Sequence, residues 1–139
     1  MKLTQTPSIK RKSGMTLLEL TVVILVLLSL ISILFIGARA WKKGSDRAAS
    51  ILQIRNVQQA MRSHANMQNL NIGATIARTD IIGTGKFIER DPVGTHPAPG
   101  HDFMTPYPTV VPGLGSLYLW VIGPEYPDYE PKDGSYGDW

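Results

Sequence analysis

The hydrophobic residues of this chain include one continuous block. A stretch in which apolar residues recur periodically follows that block. Between Glu19 and Arg39, the nineteen residues 20–38 include no charged side chain. At about 1.5 Å per residue they would form a helix about 28 Å long, close to the thickness of the hydrocarbon core of a bilayer. Apolar side chains surround this helix on all sides and no proline interrupts it, which is typical of a helix in lipid or among similar helices. The pattern predicts a transmembrane helix over residues 15–38.

An aromatic and basic group follows the predicted span directly. Its members are Arg39, Trp41, Lys42 and Lys43. Residues of these types anchor helices at the level of the lipid headgroups. Lys and Arg are almost equally frequent before and after the span, so charge alone does not fix its orientation.

The periodic stretch, residues 39–68, predicts an amphipathic helix that continues into a soluble part. Its apolar residues recur at helical spacing, and Gln58 is the polar exception among them. Gly37 and Gly44 would each cost a helix roughly 1 kcal/mol relative to alanine. If both are tolerated, one helix of about fifty residues contains the transmembrane stretch and the amphipathic stretch. The apolar stripe consists of Ile51, Ile54, Val57, Met61 and Ala65.

Residues 69–139 are rich in proline and glycine, which predicts short elements joined by turns. The best strand is 116–122, and 107–111 is expected to pair with it in a hairpin through Pro112 and Gly113. Thr79 is expected to cap a short turn, and the tail after residue 123 to be an irregular surface segment. The fold class is therefore α+β, with a small C-terminal antiparallel β head.

Charge and composition exclude several classes of function. The formal charge of +3 depends on four basic residues among the first fourteen, and from Met15 onward ten Lys or Arg face eleven Asp or Glu. A nucleic-acid partner is therefore not expected. The chain has no cysteine, so disulfides and thiolate chemistry are excluded. No phosphate loop or catalytic triad stands out, and an enzyme is not expected.

The most specific feature is the junction between the basic leader and the apolar run. Residues 10–20 read KRKSGMTLLEL, with Gly14 before a large apolar Met15 and Glu19 four positions later. This arrangement resembles the cleavage and methylation signature of type IV prepilins and of type II secretion pseudopilins. The resemblance is strong over residues 10–38, weaker over the amphipathic helix and faint beyond it. Met15 departs from the usual phenylalanine, which is a tolerated kind of change.

The resemblance implies a processing route and a set of partners. A prepilin peptidase would remove the leader, residues 1–14, by cutting between Gly14 and Met15, and N-methylation of Met15 would usually follow. The chain would then cross the bacterial inner membrane once, with a cytoplasmic N-terminus and a periplasmic head. An inner-membrane assembly platform would pack it with copies of itself and with other pilin-like subunits. The product would be a type II secretion pseudopilus or a type IV pilus-like filament, in which the chain has a structural role.

Glu19 has two interpretations. A carboxylate within an apolar helix costs roughly 2.5 to 3.5 kcal/mol on insertion scales, and the new ammonium group on Met15 could neutralise it in a neighbouring subunit. Glu19 and Met15 would then form an assembly charge pair. Alternatively, Thr16 and Glu19 have the Thr-x-x-Glu spacing of a capping box, so that Glu19 only begins the helix.

Other functions remain open at the level of sequence. Ala38-Arg39-Ala40 has the A-x-A pattern of a signal-peptide cleavage site, which would release a soluble chain, and a plain membrane anchor is a further alternative. The main alternative in function is a secreted or membrane-anchored binding module with an aromatic C-terminal surface.

Metal binding is weakly indicated at two places, and no cofactor is otherwise expected. His96, His101 and Asp102 lie close together in a loop, where metal ligands and solvated side chains are both reasonable. Four acidic residues near the C-terminus offer oxygen donors to calcium, and the major pseudopilins bind calcium in that region. These residues are Asp128, Glu130, Asp133 and Asp138.

Overall fold

The computed structural model describes Gly14, residues 16–105 and residues 109–139. The chain divides into two compact units, Met1–Arg39 and Ala40–Trp139. Most of the predicted leader, residues 1–13, lies outside the described residues, as does Met15.

Helix α1 spans Leu17–Met67 and contains 51 residues. This confirms the prediction of one continuous helix in which Gly37 and Gly44 are both tolerated. Its first turn is closed by two reciprocal bonds. The main-chain N of Thr16 donates to Glu19 Oε2 at 2.8 Å, and the main-chain N of Glu19 donates to Thr16 Oγ1 at 3.2 Å. These bonds form the predicted capping box.

The apolar run of α1 is exposed along its whole length. No residue of its most apolar 18-residue window is buried. Among the described residues, α1 is the one helix that is long and apolar enough to cross a membrane. Three hydroxyl groups in or next to the run return their hydrogen bonds to α1 itself, because Thr21, Ser29 and Ser32 donate to main-chain oxygens three or four residues earlier. Such internal bonds satisfy polar groups where water is absent.

The end of α1 has a Schellman motif. Asn69 adopts a left-handed conformation with φ of 56°, which asparagine tolerates better than most residues. The N–H of Leu70 donates to Ala65 O at 2.8 Å, and the N–H of Asn69 donates to Asn66 O at 3.2 Å. These bonds satisfy carbonyl groups that the helix end would leave unpaired, and they turn the chain back toward the core.

The core of the second unit forms along the predicted apolar stripe of α1. Ile54, Val57, Met61 and Ala65 are buried as expected, whereas Ile51 is partly exposed. The rest of the core comes from the Gly/Pro-rich region, so the partner of the amphipathic helix lies in its own chain. The core residues of that region include Ile76, Ile81, Ala98, Phe103, Val111, Tyr118, Leu119, Val121 and Tyr129.

The sheet of the second unit differs from the predicted hairpin. Strands β1, Asp102–Met104, and β2, Trp120–Ile122, pair antiparallel with Phe103 opposite Val121. Residues 109–111 lie instead against residues 73–76, through an antiparallel bridge between Thr75 and Val110. The expected pairing of 107–111 with 116–122 is therefore wrong, although the antiparallel α+β layout is confirmed.

Side chains of α1 explain why the hairpin does not form. Gln58 binds Ser116 O and the N–H of Tyr118, and Arg62 binds Pro112 O and Gly113 O. These main-chain groups would have been needed at the turn and along the second strand of the hairpin. Because α1 satisfies these main-chain groups, residues 112–118 can lie against the helix without a neighbouring strand.

Two smaller predictions also differ in part from the structure. Thr79 does not cap α2, Arg78–Ile81, because Ala77 is its N-cap and no side chain bonds there. The tail is more than a surface segment, since it contains a 3₁₀ helix, Tyr126–Tyr129, with Tyr129 only 7% exposed. The hydroxyl of Ser50 donates to Tyr129 O at 2.9 Å and connects the tail to α1.

A fragment of residues 43–139 is expected to be soluble and partly helical without detergent. It keeps the buried stripe of α1 and all the core residues that cover it, and it lacks the exposed apolar run. Circular dichroism and size-exclusion chromatography are the measurements. Aggregation of the fragment, alongside a full-length chain that behaves well in micelles, would contradict this division of the chain.

Candidate functional site

Gly14 lies at the predicted cleavage position with open space around it. A Cβ atom built there would meet no heavy atom of the described residues within 4 Å. The part of the chain that the structure describes therefore does not require glycine at this position. A requirement for glycine would come from a protein that binds the segment, such as a peptidase that approaches the backbone closely.

Glu19 is exposed and caps α1 within one chain. The capping interpretation of this residue is therefore shown in the structure. The expected charge pair involves the amino group of Met15 and a second subunit, so it lies outside the described residues. The two roles are compatible, because a carboxylate has lone pairs for several donors and Oε2 alone accepts the bond from Thr16.

The aromatic and basic group after the apolar run lies at the surface of α1. The Arg39 guanidinium lies over the Phe35 ring at 4.9 Å, and Trp41 is 80% exposed. Lys42 is also exposed. Lys43 differs, since its Nζ lies 3.0 Å from both Glu125 Oε2 and Asp128 Oδ2.

These two ion pairs distinguish Lys43 from the other basic residues of the group. Its hydrogen bonds to Glu125 and then Asp128, together with their charges, raise the pKa of Lys43 above its ordinary value. All three side chains are at least half exposed, so their contribution to stability is small. Lys43 therefore links α1 to the 3₁₀ segment through surface ion pairs.

The structure does not bring the four predicted calcium ligands together. Asp128 pairs with Lys43, Glu130 accepts the N–H of Val121 at 2.7 Å, and Asp133 accepts the hydroxyl of Tyr136 at 3.1 Å. Asp138 lies in a groove beside α1. Within residues 14, 16–105 and 109–139, no three His, Asp or Glu side chains form a group suited to a metal ion.

His96 belongs to a buried hydrogen-bond network that sequence reasoning did not find. Its Nε2 lies 3.1 Å from Ser50 Oγ, and its Nδ1 accepts the N–H of Ala98 at 3.0 Å. The Ser50 hydroxyl already donates to Tyr129 O, so Ser50 Oγ must accept from Nε2–H. A neutral imidazole thus satisfies both ring nitrogens.

His101 completes an aromatic cluster with His96. The two imidazoles stack with centroids 5.4 Å apart, and Tyr129 lies 4.4 Å from the His101 ring. Asp102, the third member of the predicted loop site, accepts the N–H of Phe103 at 2.7 Å. The structure therefore places these three residues together but engages them in packing and hydrogen bonds, and the bond between His96 and Ser50 connects the loop to α1.

Stability of the second unit is expected to fall as the pH falls below about 6.5. Burial lowers the pKa of His96 from its ordinary 6.5, against the raising effects of the Ala98 main chain, Asp102 and Asp46. The charge of His101 lowers it further. Between the folded pKa and 6.5, the unfolded chain binds more protons than the folded chain, so acid favours unfolding.

Urea melts of the 43–139 fragment between pH 7.5 and pH 5 measure this effect. His96→Gln should flatten the pH dependence in that window. His64→Gln is the matched control and should leave it unchanged, because His64 packs against Phe87 at 6.0 Å, outside the network. An equal slope for the two variants would show that another group is responsible.

Gln58 and Arg62 connect α1 to the last part of the chain. Gln58 is 1% exposed, donates to Ser116 O at 3.0 Å and accepts the N–H of Tyr118 at 2.9 Å. Arg62 donates to the main-chain oxygens of Pro112, Gly113 and Trp139. The signal in the sequence was a glutamine on an apolar stripe, which indicates a buried hydrogen bond without naming its partner.

A groove of about 430 Å³ lies between α1 and the C-terminal residues Asp138 and Trp139. The Arg55 guanidinium covers the Trp139 ring at 5.3 Å. This groove is the part of the described structure that best matches the expected aromatic C-terminal surface. It is lined by Arg55, Gln58, Gln59, Arg62, Ser63, Asn66, Asp138 and Trp139.

No family model, curated protein or solved structure matches the chain.

Proposed function

We propose that the chain is a structural subunit of a type II secretion pseudopilus or a type IV pilus-like filament, assembled through its N-terminal helix. The observation that carries the proposal is the junction at Gly14 and Met15, with Glu19 at the start of a long charge-free run. A prepilin peptidase would cut this junction at the membrane. The role is structural, and the chain would act without a catalytic centre of its own.

The division of α1 supports this proposal. Its first half exposes apolar side chains on all sides, while its second half buries one stripe in the core of the second unit. An exposed apolar helix requires lipid or other apolar helices around it. A helix that is first held by a bilayer and then by neighbouring subunits meets this requirement at both stages.

A membrane-anchored binding module is the second candidate. The groove beside Arg55 and Trp139 favours it, because an aromatic ring with a stacked guanidinium is a common element of binding surfaces. In that case the helix would remain an anchor and the chain would not form filaments.

The mass of the mature N-terminus tests the proposal. Cleavage before Met15, with one added methyl group, is expected in membrane fractions. Gly14→Val should block cleavage while preserving the fold, because no described atom lies near that position. A mature chain that begins at Trp41 would show that residues 1–40 are a signal peptide. That result would remove the filament hypothesis.

A further inference from the structure

A small pocket of about 290 Å³ lies where α1 meets the 3₁₀ segment. Pockets for drug-sized ligands begin at about this volume, so it has room for a small chemical group. Gly44 contributes to the space, since a Cβ atom there would meet nothing within 4 Å. The lining residues are Ala40, Lys43, Gly44, Arg47, Asp128 and Tyr129.

Two groups of opposite charge in this pocket have bonding capacity left. Arg47 is partly buried, and its guanidinium makes no hydrogen bond or ion pair with the residues in 14, 16–105 and 109–139. Asp128 meets Lys43 through Oδ2, and Oδ1 accepts no side-chain bond from the same described residues. A guanidinium suits a phosphate, and a carboxylate oxygen suits an ammonium donor.

The position of the pocket along the chain indicates which molecules can reach it. Ala40 comes two residues after Ala38, where the charge-free run ends, and the exposed Trp41 and Lys42 lie next to it. A chain inserted through that run holds residues 40–47 close to the headgroup layer. Phosphate groups are abundant in this layer.

We propose that this pocket binds the headgroup of an amine-bearing phospholipid of the phosphatidylethanolamine class. Arg47 donates to the lipid phosphate, and Asp128 accepts a hydrogen bond from the ammonium group. The two cations that line the pocket, Lys43 and Arg47, are balanced by Asp128, which also lines it, and by Glu125, which pairs with Lys43. This balance suits a zwitterion better than a net anionic headgroup. A quaternary ammonium has no N–H to donate, so phosphatidylcholine would bind more weakly.

The proposal rests on the membrane insertion of the proposed function and adds a preference for one lipid class. The full-length chain, purified in mild detergent, is mixed with equal amounts of phosphatidylethanolamine, phosphatidylglycerol and phosphatidylcholine that have the same acyl chains. Native mass spectrometry then measures which lipid stays bound. One phosphatidylethanolamine molecule per chain is expected to be retained in preference to the other two lipids.

Two variants and one control identify the groups responsible. Arg47→Gln should reduce retention about tenfold, the effect of losing one charge-assisted hydrogen bond. Asp128→Asn should remove the preference for phosphatidylethanolamine over phosphatidylglycerol. Arg90→Gln removes the same charge at an exposed position outside the pocket and should change nothing. Circular dichroism of each variant checks that the fold is kept.

Equal retention of the three lipids by the natural chain would overturn the proposal, as would full retention by Arg47→Gln. The outcome can be separated from that of the filament function. Cleavage at Gly14 without lipid preference contradicts only the lipid site, whereas lipid preference in a chain that is not cleaved contradicts only the filament function.

Discussion

A Glu19→Gln chain is expected to be cleaved after Gly14 and to stay in the membrane. It is expected to form few or no filaments in cells that make no chain with the natural Glu19. Glutamine keeps an oxygen for the N–H of Thr16, so the capping box is preserved. It also inserts more easily, because a costly charge is gone. It cannot neutralise the ammonium group of Met15 on a neighbour, and an unpaired buried charge commonly costs about 3 to 5 kcal/mol.

Thr16→Ala is the matched variant for the capping role. It removes the hydroxyl that accepts the N–H of Glu19 and keeps the charge, at about 1 kcal/mol of helix stability. Filaments should therefore form nearly as well as in the natural chain. Gel mobility reports cleavage, and recovery of sheared filaments reports assembly. Normal filaments from Glu19→Gln would leave capping as the sole role of this residue.

Replacement of Gln58 by leucine is expected to lower the free energy of unfolding of the second unit by about 1 to 3 kcal/mol, the cost of one buried main-chain group without its hydrogen bond. Leucine is similar in size but leaves the N–H of the fully buried Tyr118 without its partner. Ser116 loses its partner too, but this residue is exposed, so its carbonyl oxygen can bind water. Small domains are stable by only about 5 to 15 kcal/mol, so the variant would lose a substantial fraction of its stability.

Gln59→Leu provides the control for this substitution. Gln59 is the next residue on α1 and is exposed, so the change should stay within about 0.5 kcal/mol. Urea denaturation of the 43–139 fragment, followed by circular dichroism, compares the two variants. Equal midpoints would mean that the bonds of Gln58 contribute nothing to the fold.

The helical part of the fold could be predicted because its signals are local. The charge-free run, the capping box and the apolar stripe each depend on residues within a few turns of one another. The sheet depends instead on contacts between segments that are far apart in the chain. Nothing in the sequence around Pro112 shows that Arg62 and Gln58 satisfy the main-chain groups of the predicted hairpin, so the pairing with β1 could not be foreseen.

The candidate sites also differ in whether their residues are close together in the sequence. The residues at the junction, Gly14, Met15 and Glu19, are close in sequence and were found from their spacing. The Ser50–His96 network and the pocket between Arg47 and Asp128 join residues far apart in the chain. No spacing rule relates such pairs, and only the fold brings them together.

The bonds between α1 and the C-terminal region also affect the order in which the chain can fold. Ser50 and Tyr129 are separated by 79 positions, Gln58 and Ser116 by 58, and Arg62 and Trp139 by 77. During synthesis the apolar stripe therefore leaves the ribosome well before the residues that cover it. Closing loops of this length delays folding, and uncovered apolar surface favours aggregation. We therefore expect the newly made chain to need a chaperone or prompt membrane insertion until its last residues have been added.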